Sequence, residues 1–199
     1  VYSCAALTSL TLPALETFNG GTLANNCAAL TELSLPALKS CGTPNIFANP
    51  AEDKEYRVNA PVLEDMGYYN LGTMLSGGGN NTLHMYMPKC RQFNRRVLDY
   101  SRASTAHLHF GGQIEVIHAR ALGSSANTSR LYLYISEGAR TSLSHEAFLF
   151  DADNLKQFIA DLGDNNNYNT KSLQIGAAAL ALLTEDDIAL AVAKNYTLS

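Results

Sequence analysis

Cys4-Ala5-Ala6-Leu7-Thr8-Ser9-Leu10-Thr11-Leu12-Pro13-Ala14-Leu15 returns 23 residues later as Cys27-Ala28-Ala29-Leu30-Thr31-Glu32-Leu33-Ser34-Leu35-Pro36-Ala37-Leu38, with ten of the twelve positions identical. Only Ser9/Glu32 and Thr11/Ser34 differ. A unit this short cannot close a core of its own, so copies must stack, each burying the apolar side of the next. The pattern predicts a solenoid, with function carried on a face that the stacked units share.

Later copies are weaker but traceable. Apolar residues three apart recur at Leu15/Phe18, Leu38/Cys41, Leu63/Met66, Cys90/Phe93 and Ile114/Ile117. Pro13, Pro36, Pro61 and Pro88 stand two residues ahead of the first four, and Gly112 takes that slot in the fifth. Upstream of each lies a short alternating run: Leu10-x-Leu12, Leu33-x-Leu35, Tyr56-x-Val58, Met85-x-Met87 and Leu108-x-Phe110, followed by Leu131-x-Leu133-x-Ile135. Alternation of this kind reads as a strand with one buried face. Proline closes the strand because it has no N–H for the next ladder bond. One strand per coil gives a narrow parallel β-sheet on one face, with extended or looped connections on the other. Asn49 to Lys54 and Leu75 to Asn81, rich in glycine, proline, asparagine and charge, read as looped insertions.

The texture turns helical after about residue 141. Leu155, Phe158, Ile159 and Leu162 make one apolar stripe, with Ser142 or Ser144 as the expected cap, Glu146 near the positive end of the dipole and Gly163 as the stop. Asp164 to Asn169 reads as a mobile polar loop, and Leu173-Gln174-Ile175-Gly176 as one last strand. Thr184-x-x-Asp187 opens a final short helix through Val192. The expected architecture is an α/β repeat solenoid. About six coils fill residues 1–141, and a helix–strand–helix segment, 142–199, caps the last one.

A net charge of −4 without any basic run offers nucleic acid or an anionic membrane no electrostatic attraction. No apolar stretch approaches the roughly 20 residues of a membrane span. Val1-Tyr2-Ser3 lacks the basic start of a signal peptide. Because a repeat begins at Cys4, the sequence reads as a piece of a longer chain with further coils upstream. Cys4 and Cys27 share a repeat position and read as small buried thiols, a disulfide between them being the open alternative. No Cys/His spacing suggests zinc, and no cofactor is called for.

Alternate strand residues point outward and form columns across the sheet. In order they are Ser9 and Thr11, Glu32 and Ser34, Glu55 and Arg57, His84 and Tyr86, His107 and His109, Tyr132 and Tyr134, then Gln174. The first half is small and polar, whereas the second half carries three histidines and three tyrosines. Aromatic rings with polar tips supply contact area at low entropic cost, so His84, Tyr86, His107, His109, Tyr132 and Tyr134 form the candidate ligand-binding patch. Cross-strand pairing alone also yields such ladders. A zinc site from His84, His107 and His109 is the sharper alternative, but no carboxylate or cysteine completes the set. No nucleophile–base pair and no paired carboxylates point to catalysis.

Cys4, Leu7, Leu10, Leu12 and Pro13, then Cys27, Leu30, Leu33, Leu35 and Pro36, resemble the leucine-rich repeats of BspA-like bacterial surface proteins. The C-terminal stretch from Leu173 through Thr184-Glu185-Asp186-Asp187 to Leu198 is similar to the ending of many such proteins from gut anaerobes and their phages. This resemblance implies a solenoid of the leucine-rich-repeat type that serves as an extracellular or cell-surface adhesion module without catalytic activity. Its partner is then a host or bacterial surface protein or a glycan, and a monomer suffices. The alternative is the structural or receptor-binding part of a phage tail fibre or surface appendage. The later units lack the cysteine and several leucines, so no binding residue transfers by position.

Overall fold

The computed structural model describes residues 1–42, 45–48, 51–66, 75–76, 80–93, 103–119, 130–145 and 149–199. Among these, parallel β-sheets dominate and three helices lie towards the C-terminus. No helix among the described residues is long and apolar enough to cross a membrane.

The front sheet has seven strands in chain order: Ser9–Thr11, Glu32–Ser34, Glu55–Asn59, Asn81–Met87, Ala103–Phe110, Arg130–Tyr134 and Leu149–Phe150. All are parallel, so each pass of the chain returns beside the previous one. The apolar pairs expected as connections are themselves strands. Thr17–Phe18, Ser40–Cys41, Asp65–Met66, Gln92–Phe93, Val116–Ala119 and Ser142–His145 form a second parallel sheet, completed by Lys171–Gln174 and Tyr196–Leu198. Thr22–Asn25, Asn45–Ala48 and Leu75–Ser76 form a third. Leu75 and Ser76, expected in a loop, are therefore strand residues; Gly77 to Gly79, like Asn49 and Pro50, lie outside the described residues.

A repeated turn links front and second sheets. Leu15 N–H donates to Leu12 O, Leu38 to Leu35, Leu63 to Ala60 and Cys90 to Met87. Pro13, Pro36, Pro61 and Pro88 sit at the second position of these turns, where their fixed φ is already correct. In the next turn Ile114 N–H donates to Gly111 O, and a Cβ on Gly111 would lie 2.0 Å from the Pro88 carbonyl oxygen.

Inward residues of all three sheets and of the helices make one contiguous core. Leu30, Leu33, Leu35 and Leu38 are buried, whereas their counterparts Leu7, Leu10, Leu12 and Leu15 are only partly covered. The four cysteines are free thiols; Cys27, Cys41 and Cys90 are buried and Cys4 is half-buried. Burial pushes the Cys41 and Cys90 thiols up to about 12.

The far end is closed differently from expectation. Ser142 and Ser144 do not cap a helix, because Ser142–His145 pairs with Val116–Ala119 in the second sheet. Glu146 lies outside the described residues. Helix α1 (Ala152–Asp161) is capped by Asp151, whose side chain accepts from Asn154 N–H at 3.0 Å. The expected stripe is present: Leu155, Phe158, Ile159 and Leu162 are buried. After Lys171–Gln174 come α2 (Gly176–Leu180) and α3 (Glu185–Ala193). The Thr184–Asp187 capping box opens α3 as the spacing predicted.

The Asp164 to Asn169 loop, expected to be mobile, is pinned. Asn165 N–H donates to Lys194 O, Asn166 Nδ2 to Ala193 O, and Asn195 Nδ2 to both Asn165 O and Tyr168 O. Lys194 Nζ in turn donates to Ala160 O at 2.7 Å and Leu162 O at 2.6 Å. This cation satisfies carbonyls that the end of α1 leaves open.

Candidate functional site

His84 and Tyr86 stand on Asn81–Met87, His107 and His109 on Ala103–Phe110, and Tyr132 and Tyr134 on Arg130–Tyr134. Their neighbours Leu83, Met85, Ala106, Leu108, Leu131 and Leu133 are buried, so strict alternation turns these six side chains to the outer face. The register aligns them as read from the sequence: His84 with His107 and Tyr132, Tyr86 with His109 and Tyr134.

Two ring columns result. In the first, His84 and His107 stack at 4.4 Å between centroids and 5° between planes; His107 and Tyr132 stack at 4.4 Å and 8°. In the second, His109 and Tyr134 stack at 4.3 Å and 7°, while Tyr86 tilts against His109 at 5.3 Å and 35°. These separations are close to the strand spacing of roughly 4.8 Å, so the sheet itself sets the pitch. A hydrogen bond of 3.1 Å between His107 Nδ1 and the Tyr134 hydroxyl ties the columns together.

Burial holds all three imidazoles below the usual histidine range. His107, the most strongly affected through burial and the nearby His84 and His109, is pushed down to about 4. At His84, Glu55 opposes the shift through a 3.1 Å contact from Nε2 to Oε1, and Arg57 adds to it. At neutral pH the ladder is uncharged.

The stacking bears on the zinc alternative. A metal needs ring nitrogens aimed at one point, whereas parallel rings hold theirs side by side. Among the described residues no group of three histidine, cysteine or acidic side chains is placed to hold a metal ion.

Two outward positions differ from expectation. Arg57 and Asn59, not Glu55 and Arg57, continue the columns, opposite His84 and Tyr86 on one side and Glu32 and Ser34 on the other. Glu55 faces Thr82. The run Tyr56-x-Val58 invited the wrong alignment because alanine at position 60 is a weak apolar signal. Counting back from the proline, Leu12, Leu35, Ala60 and Met87 are equivalent, and Asn59 then falls into place. Gln174 leaves the face altogether, since it pairs with Ser144 in the second sheet.

Beside the end of the ladder lies a groove of about 520 Å³. Val58 and Met85 form its floor, with Arg57 and Asn59 on one side and His84, Tyr86 and His109 on the other. Arg57 Nη2 donates to Glu55 Oε1, which also meets His84.

No protein-family model, curated protein or solved structure matches this chain.

Proposed function

We propose that the chain is a leucine-rich-repeat solenoid that serves as a non-catalytic recognition module, binding a protein or glycan through its front strand face. Within that class we place it with the BspA-like bacterial surface proteins, acting at the cell surface or outside the cell. The observation that carries the reading is the pair of ring columns on the exposed side of a rigid sheet. Tyr86 is 54% and Tyr134 37% exposed, although each is positioned by ring contacts. Pre-positioned aromatic side chains lose little rotamer freedom when a ligand arrives. The imidazole faces are spent on neighbouring rings, which suits a fixed surface better than proton transfer.

The test is replacement of Tyr86, His109, Tyr132 and Tyr134 with serine, followed by binding to an array of glycans and surface proteins. The parent protein should retain a ligand that the folded variant loses. Unchanged binding by that variant overturns the proposal.

A further inference from the structure

We infer that the open end of the ring ladder, at Tyr86 and Asn59, is a subsite for a single pyranose ring, so that the ligand of the strand face is a glycan. This rests on the strand-face reading above.

Stacking turns most of the ladder edge-on to solvent, because each ring covers the faces of its neighbours across the strands. Ring faces become available only where a column stops. The second column stops at Tyr86, whose register partner on the next strand is Asn59, and beyond Asn59 stands Ser34. Both are too short to cover a phenol. One face of Tyr86 therefore rests on His109 while the other looks into the groove of about 520 Å³. That volume falls within the roughly 300–1,000 Å³ of small-molecule sites.

The chemistry around the open step selects the kind of flat ring. A pyranose has an apolar face of axial C–H groups that packs on an aromatic ring, and an edge of vicinal hydroxyls. The Asn59 carboxamide offers one acceptor and two donors. Arg57 keeps N–H groups beyond the one given to Glu55. Among the described residues, neither the Asn59 side chain nor the Tyr86 hydroxyl has a hydrogen-bond partner. An indole or phenol would stack on Tyr86 as well, but it would strip water from Asn59 and Arg57 without replacing those bonds.

The experiment fills the empty step. Asn59→Tyr places a ring where the column stops, at an exposed position, and mimics the bound sugar. Methyl glycosides of glucose, galactose, mannose and N-acetylglucosamine are the probes, followed by saturation-transfer NMR and by the ring signals of Tyr86. At least one glycoside should bind with its C–H face against Tyr86. Asn59→Tyr should abolish that binding, and Tyr86→Ser should weaken it by about tenfold or more. Tyr168→Ser, on an exposed ring in the Asp164–Asn169 loop outside the front sheet, should leave it within about twofold. The inference is overturned if no glycoside perturbs Tyr86, if Asn59→Tyr binds as the parent does, or if indole competes more strongly than every glycoside. The broader reading survives such a failure when the array still yields a protein ligand lost on Tyr132→Ser and Tyr134→Ser. When the array also yields nothing, both readings fall.

Discussion

Asn154, in the first turn of α1, meets Leu133 as a neighbouring strand would: Leu133 N–H donates to its Oδ1 at 2.8 Å, and its Nδ2 donates to Leu133 O at 3.0 Å. The last front strand, Leu149–Phe150, pairs only with Arg130 and Leu131. Beyond it the ladder would be left open, and one carboxamide takes over the next donor and acceptor. An unpaired parallel edge invites pairing with other chains, so this helix covers what the sheet cannot finish. Asn154→Ala leaves both backbone groups of Leu133 unpaired. It should cost about 1–3 kcal/mol in urea unfolding and speed exchange of the Leu133 amide. An unchanged exchange rate at Leu133 would show that the carboxamide does not act as the missing strand.

The same residue type should cost different amounts in successive passes. Leu10 and Leu33 are register partners, but Leu33 is 2% exposed whereas Leu10 is only partly covered. Leu33→Ala should destabilise by about 2–5 kcal/mol through lost burial and a residual cavity. Leu10→Ala should cost about half that or less, since less area leaves water there on folding. Equal losses in chemical denaturation would contradict this gradient.

How far these features can be read from residues depends on how long their periodic signals are. The five outward pairs that aligned correctly sit on runs with alternation on both sides of a strong apolar residue, such as Leu83-His84-Met85-Tyr86-Met87. The buried stripe of α1 and the Thr184–Asp187 box were legible for the same reason, since each rests on several residues at fixed offsets. Leu149–Phe150 and Tyr196–Leu198 were not, because two or three residues carry no period; their strand character comes from the neighbouring strand. Asn59 was hidden by Ala60, whose buried methyl is too small to mark an inward position. The open step beside Tyr86 could not be foreseen without that register.

Consecutive glycines in one turn should respond in opposite ways. A Cβ on Gly111 would meet the Pro88 carbonyl oxygen at 2.0 Å, a backbone atom that cannot swing aside. On Gly112 it would meet nothing nearer than Ser136 Cβ at 4.0 Å. Gly111→Ala should force neighbouring passes apart and cost about 1–3 kcal/mol. Gly112→Ala should stay within about 0.5 kcal/mol of the parent. Thermal unfolding of the two variants, measured side by side, checks the contrast.

Acid should destabilise the fold through the ring ladder. His84, His107 and His109 all titrate below their ordinary 6.5, chiefly through burial, and His107 does so near 4. Above about pH 6.5 the imidazoles are neutral whether the chain is folded or unfolded, and their contribution is fully present. Between 6.5 and 4 the unfolded chain binds protons that the folded ladder refuses. Stability therefore falls as pH falls across this window. Melting temperature should decline from pH 7 to pH 4, while the His107 ring signals in NMR stay those of a neutral imidazole until pH about 4. His107→Phe keeps a ring between His84 and Tyr132 but removes the proton site, so the decline between pH 6.5 and 5 should become shallower. An identical slope in that variant would show that the ladder does not govern the acid response.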